Sequence, residues 1–242
     1  MKKHIPNIIT CCNLLSGCVA IYWAFSGTAK LALLWIIIGA VFDFFDGMTA
    51  RLLGVSSPIG KELDSLADVV TFGVAPATIV FSELSAILPI PAVAEGLAAC
   101  YRYLPFVAFL IAAFSALRLA KFNIDTRQAT SFIGMPTPAN ALFWGSFIVG
   151  QNAWIENNRY APVVIIVLIV ATCWLLVCEL PMFSLKFKHL GLKDNHIKLY
   201  FTIFSALMLI VFGWINAWWL IIGAYVIVSA GIKGWEMKMS NK

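Results

Sequence analysis

The chain has 242 residues, 61% hydrophobic and only 12% charged, with a formal net charge of +5 and a mean hydropathy of +0.89. Soluble domains carry about 25% charged residues, so this composition excludes both an ordinary soluble globule and a disordered chain. The apolar runs at 31–42 and 163–177 are continuous. They lack the alternation of an outer-membrane barrel, which leaves an all-α, polytopic membrane helical bundle.

A spanning helix takes about 20 residues. The apolar pattern predicts eight spans, approximately at 7–26, 31–54, 61–87, 93–120, 136–153, 160–181, 197–214 and 216–233. Turn-forming residues separate them: Ser26-Gly27-Thr28, Ser56-Ser57-Pro58, Pro89-Ile90-Pro91, Pro136-Thr137-Pro138 and the charged stretch from Lys186 to Asn195. No internal repeat is visible, and the linkers are too short for a flexible domain boundary. The whole chain, 1–242, reads as one integral-membrane domain. The first apolar run carries Asn7, Thr10 and Asn13 and no small-residue cleavage site follows it, so it is expected to be a mature helix.

Charge placement orients this scheme. With the N-terminus in the cytoplasm, the inward connections and both termini hold 14 basic residues and the outward connections hold 3. That bias predicts both termini at the cytoplasmic face of an inner membrane, with the net positive charge facing anionic headgroups. Tryptophans near span ends, such as Trp154, Trp214 and Trp218, fit an interfacial belt. The six cysteines, Cys11, Cys12, Cys18, Cys100, Cys173 and Cys178, form no C-x-x-C pair. They read as buried free thiols, and the scattered His4, His189 and His196 give no zinc pattern.

Ionisable residues inside spans are costly, and functional by default. Here four aspartates fall in one hairpin. Asp43 and Asp46 lie i, i+3 near the end of the second span; Asp64 and Asp68 lie i, i+4 at the start of the third. Each spacing puts both carboxylates on one helix face. The Ser56-Ser57-Pro58 turn folds the two helices antiparallel, so all four carboxylates can converge at the cytoplasmic side. Only Arg51 and Lys61 are near enough in sequence to compensate. Hard divalent cations are the natural counter-charge, and a paired-metal carboxylate site suits phosphoryl transfer. Gly47, Ala50 and Gly60 continue these faces. Their small side chains admit either a ligand or close helix packing, and the sequence does not choose.

The pattern Asp43-x2-Asp46-Gly47-x2-Ala50-Arg51-x8-Gly60-x3-Asp64-x3-Asp68 resembles the signature of the CDP-alcohol phosphatidyltransferases, with every position filled. The resemblance implies a six-helix catalytic core, here about 5–180, followed by two further spans at about 197–233. It implies transfer of a phosphatidyl group from a CDP-linked lipid to an alcohol. It also implies two divalent cations, Mg2+ or Mn2+, on Asp43, Asp46, Asp64 and Asp68, with Asp68 as the base toward the incoming hydroxyl. CDP-diacylglycerol would lie against Gly47, Ala50, Arg51 and Gly60, and Asn7, Thr10 and Asn13 share a helix face that could line the same site. A homodimer is expected from the family alone.

Further segments, Ile5 to Thr10, Leu63 to Pro76, Arg118 to Asn123 and Phe132 to Pro138, are similar to the branch of that family that uses L-serine as acceptor. Ser65 stands where phosphatidylglycerophosphate-forming members tend to have proline. Glycerol 3-phosphate and inositol-phosphate acceptors are the alternatives within the family. Arg118 lies in an apolar run and is expected to meet the serine carboxylate or the lipid phosphate; Lys121 and Arg127 are explained by topology. Asn123 is either a substrate contact or a helix cap. An ion-coupled transporter, the competing class, would show broken spans in two matching halves, whereas here all four aspartates fall in one hairpin.

Overall fold

The computed structural model describes residues 4–88, 101–125, 132–182 and 196–240. The Pro89-Ile90-Pro91 connector, Cys100, Arg127, His189 and the basic residues at 186–193 lie outside them.

The chain is a helical membrane bundle, as its composition requires. α1 (Ile5–Phe25) starts with Pro6 in its first turn, where the missing N–H costs nothing. Gly27, at φ 74°, turns the chain into α2 (Ala29–Leu53). Gly54, at φ 61°, caps α2 in the left-handed conformation. Two residues after Val55, Ser57 caps α3 (Pro58–Asp68): its Oγ accepts from Gly60 N at 3.1 Å, and Pro58 occupies the first turn. The predicted turn is therefore a C-cap, a short extended link and an N-cap in succession.

The third predicted span is continuous in direction but not in helix type. α3 runs into a π-helical segment (Val69–Val74) and then α4 (Ala75–Ile87). Within it Ala75 N bonds to Val70 O, five residues back. Pro76 lacks an N–H and cannot continue the regular ladder, which favours the extra residue just beyond Asp68. A 3-10 turn (Leu104–Phe109) leads into α5 (Leu110–Ile124). Then follow α6 (Thr137–Gly150), the short α7 (Asn152–Asn157), α8 (Ala161–Val177) and α9 (His196–Ser240). A two-residue antiparallel ladder pairs β1 (Phe132–Ile133) with β2 (Pro181–Met182); the sequence pattern did not predict it.

Five helical stretches among the described residues are long and apolar enough to cross a membrane: Ile5–Phe25, Ala29–Leu53, Pro58–Ile87, Tyr101–Ile124 and Leu199–Gly231. Ala161–Val177 is apolar but shorter. The predicted span at 136–153 corresponds to α6, of 14 residues. The predicted seventh and eighth spans form α9, whose helix breaks at Gly213 (φ 73°, ψ 162°). Phe201 and Tyr225 lie 5.7 Å apart between ring centroids. In an unbroken helix, residues so separated would be about 36 Å apart, so the two arms fold back on each other.

The main core joins α1, α2, α4, α6 and α8 around the fully buried Trp144, whose Nε1 donates to Thr172 Oγ1 at 3.2 Å. Two glycines set how closely α1 and α2 approach the π-helical segment. A Cβ on Gly17 would stand 2.5 Å from Thr71 Oγ1, and one on Gly39 would stand 2.5 Å from Thr71 Cγ2. Thr71 Oγ1 in turn donates to Asn13 O at 3.0 Å.

Candidate active site

α2 and α3, folded against α1, bring the aspartates to one end of the bundle. Carboxylate oxygens of Asp43, Asp64 and Asp68 all lie within 4.8 Å of one another. The i, i+4 spacing of Asp64 and Asp68 supplies two of these groups from α3, and Asp43 supplies the third across the hairpin. Asp46, one turn beyond Asp43, is held apart by α1: Thr10 Oγ1 donates to Asp46 Oδ2 at 2.6 Å. Asn13, one turn further along α1, donates from Nδ2 to Asp68 Oδ1 at 3.2 Å. Thr10 and Asn13 are both buried, so one face of α1 orients one carboxylate from each side of the hairpin.

Among the described residues, no lysine or arginine forms an ion pair with these four aspartates. Three carboxylates so close repel one another strongly in a low dielectric. An all-oxygen anionic donor set of this kind fits a hard divalent cation, and the neighbouring Asp46 is available to extend it.

A cavity of about 300 Å³ opens beside the cluster, lined by Pro6, Asn7, Thr10, Asp46, Gly47, Ala50, Ser57, Gly60, Lys61 and Asp64 among others. The structure thus brings Asn7, Thr10, Gly47, Ala50 and Gly60 to one cavity wall. Gly47 does not serve helix packing: a Cβ there would meet only the Arg51 side chain, at 3.6 Å. At Gly60 a Cβ would approach Ser57 Oγ at 3.0 Å and Asn7 Oδ1 at 3.1 Å, narrowing the cavity. Two predicted nucleotide contacts are not part of this lining. Asn13 is fully buried and turned to Asp68, and Arg51 is exposed at the end of α2.

The residues singled out on α5 divide. Asn123 neither lines the cavity nor caps through its side chain; its Nδ2 donates to Ser65 Oγ at 2.8 Å, and its carbonyl accepts from Lys61 Nζ at 3.0 Å. It fastens α5 to α3 one turn from the aspartates. Arg118 is buried at 6% exposure, its guanidinium 5.1 Å from the centroid of Phe122. It lines a second cavity of about 320 Å³ with Lys121, Asp125, Ile133, Cys178 and Glu179. Sequence reasoning missed the role of Thr71, Gly39 and the π-helical segment in holding Asn13 against Asp68. The Gly73-x-x-Pro76 spacing was the available signal.

Several relatives share much of this chain. A CDP-diacylglycerol–serine O-phosphatidyltransferase of Bacillus subtilis (strain 168) is 38% identical over 191 residues, covering 77% of this chain and 91% of the relative. One from Helicobacter pylori (strain J99) is 34% identical over 157 residues, covering 63% of this chain and 61% of the relative. An archaetidylserine synthase of Methanothermobacter thermautotrophicus is 32% identical over 146 residues, covering 59% and 57%. The family model for CDP-alcohol phosphatidyltransferase matches residues 3–192, a stretch that contains all four aspartates, the cavity beside them and the Arg118 pocket. The chain belongs to the CDP-alcohol phosphatidyltransferase family.

Proposed function

We propose that this enzyme transfers the phosphatidyl group of CDP-diacylglycerol to the hydroxyl of L-serine and releases CMP. The observation that carries this reading is the three-carboxylate cluster of Asp43, Asp64 and Asp68, with oxygens within 4.8 Å, beside a cavity walled by Gly47, Ala50 and Gly60. The serine acceptor is supported by the relatives in Bacillus and Helicobacter, which are CDP-diacylglycerol–serine O-phosphatidyltransferases.

Asp43, Asp46, Asp64 and Asp68 would hold two divalent cations, Mg2+ or Mn2+. Bound there, the cations supply charge neutralisation for the diphosphate and its leaving group. Thr10 fixes the orientation of Asp46 and Asn13 that of Asp68, as partners of metal-binding carboxylates commonly do. The cytidine end would occupy the cavity against Gly47, Ala50 and Gly60, with Asn7 and Thr10 beside them in the same lining. Arg51, exposed at the end of α2, would meet the nucleotide from the rim. Asn13 engages one oxygen of Asp68 and leaves the other to take the serine hydroxyl proton. The serine oxygen then forms a bond to the phosphorus bearing diacylglycerol, the bond from that phosphorus to the CMP oxygen breaks, and CMP leaves with the electron pair. The chemistry depends on position and fixed charge more than on covalent participation by protein. Arg118, buried on α5, would receive the serine carboxylate or the lipid phosphate. Asn123 would act on the acceptor side through its hold on Ser65.

The protein is a multi-pass membrane enzyme. Its active site and both termini would face the cytoplasm, where serine is supplied, and it would work as a homodimer in the inner membrane. Metal-dependent CMP release, measured with purified protein and L-serine, glycerol 3-phosphate or inositol 1-phosphate in parallel, tests the acceptor. Release with L-serine alone is expected; release with another acceptor and not with serine overturns the reading. A cysteine at Ser57, in a background without native cysteines, should react with an impermeant thiol reagent only after lysis.

A further inference from the structure

A seam of buried polar groups lies between α5, α6 and α8, outside the aspartate cluster. Among the described residues, Arg118 Nε, Thr137 Oγ1 and both amide atoms of Asn140 are buried without a hydrogen-bond partner. Thr137 and Asn140 are 0% exposed. Buried polar side chains are nearly always satisfied, and an amide with neither end satisfied carries that cost at a donor and an acceptor together. The four groups come from two helices that touch each other and both touch α8.

Two hydrogen bonds set their level in the bundle. Trp144 Nε1 donates to Thr172 on α8, and Lys121 Nζ donates to Val177 O at 3.5 Å. Asn140 lies one turn before Trp144, on the side of the end where Thr137 begins α6. Arg118 lies one turn before Lys121. Because α6 runs antiparallel to α8 and α5 runs parallel to it, these offsets bring Asn140 and Arg118 to levels between Thr172 and Val177, within about one helical turn of each other. A carboxamide offers a donor and an acceptor together, and a guanidinium offers only donors. A small zwitterion carries a carboxylate that needs donors and an ammonium that needs an acceptor.

We propose that Asn140 is a specificity residue for the acceptor, resting on the serine-transfer reading above: its Oδ1 accepts from the α-ammonium of the amino acid while Arg118 holds the carboxylate. The chemical class recognised is a zwitterionic hydroxy amino acid.

The test uses Asn140→Leu, which keeps the branched shape and heavy-atom count and removes both polar atoms, and Asn140→Ala as a second variant. The acceptors are L-serine and 3-hydroxypropionate, which is serine without its ammonium. Both variants should raise the KM for L-serine by about 10-fold or more and leave the KM for CDP-diacylglycerol within about twofold. The preference for L-serine over 3-hydroxypropionate should collapse. Thermal unfolding in detergent should show Asn140→Leu at least as stable as the parent, since an orphaned amide is gone. An unchanged serine KM in a folded variant, or equal losses with both acceptors, makes Asn140 structural and overturns the inference. Failure of the unsubstituted enzyme to use L-serine at all overturns the underlying reading instead, and the two failures are told apart by that control.

Discussion

The α2–α3 hairpin and the α9 hairpin are both pairs of helices joined by a tight turn, and they are fastened to the bundle in different ways. At α2–α3 the turn has two separate caps, Gly54 and Ser57, and the arms are tied to α1 by side-chain hydrogen bonds from Thr10 and Asn13. Behind them Gly17 and Gly39 leave no space for even one added carbon against Thr71. At α9 the turn is the single residue Gly213, where an added Cβ would meet nothing within 4 Å. That hairpin packs through apolar side chains such as Phe201, Ile221 and Tyr225. One polar tie is Ser146, which donates to Ile215 O at 2.5 Å and accepts from Trp219 N at 3.2 Å. The first hairpin holds four charges in a fixed arrangement and needs rigid support on every side. The second carries no charge cluster among its described residues and needs only to cover α6.

The sharpest way to break this comparison is to neutralise the first hairpin. Asp43→Asn, Asp46→Asn and Asp64→Asn should each lower turnover to below about 1% of the parent. That loss exceeds the 10- to 100-fold typical of a residue one step removed from a metal. The proteins should stay folded in detergent, because each change removes repulsion. Near-normal activity of Asp46→Asn at saturating Mg2+ would show that Asp46 is no part of the site.

Asp68 separates ligand from base. Asp68→Asn should cut kcat by about 10² to 10⁴, the usual contribution of a general base, with a much smaller effect on CDP-diacylglycerol affinity. Measured on one preparation at several Mg2+ concentrations, a rate restored by extra metal would leave Asp68 a ligand only.

The scaffold behind the aspartates should be the next most sensitive element. Gly39→Val places carbon where Thr71 Cγ2 and Asn13 Oδ1 already lie. Overpacking of this kind costs about 1–3 kcal/mol, visible as a lowered unfolding temperature, and turnover should fall because Asn13 can no longer reach Asp68. Full activity in a folded Gly39→Val enzyme would separate the packing from the chemistry. The smallest effect belongs to α9. Ser146→Ala should cost about 1 kcal/mol by loss of its bonds to the turn, with kcat and KM unchanged. A large activity loss there would mean that the two hairpins are coupled.

Much of the site could be read from residue spacing because helix geometry is local. The i, i+3 and i, i+4 offsets fix which carboxylates share a face before any neighbour is known, and Ser57-Pro58 announces a helix start wherever it occurs. The same locality explains the limits. Asn7, Thr10 and Asn13 share one helix face in sequence, but Asn7 and Thr10 face the cavity while Asn13 is turned to Asp68. The difference comes from how α1 crosses the hairpin. Asn123 could be assigned neither to substrate nor to a cap because its partners, Ser65 and Lys61, lie about 60 residues away in the chain.

The sequence by itself determined the membrane bundle, the four aspartates on two facing helices and the family signature, since composition, apolar run length and helical periodicity all act within a few residues. Only the tertiary structure decided that Asp43, Asp64 and Asp68 form the tight cluster while Asp46 is drawn to Thr10. It also decided that Gly17 and Gly39 serve packing whereas Gly47 leaves room for a ligand, and that Arg118 and Asn140 stand buried with polar atoms unpartnered. Each of these depends on contacts between helices distant in the chain, where the crossing and depth of one helix against another are set by side-chain packing that no local pattern encodes.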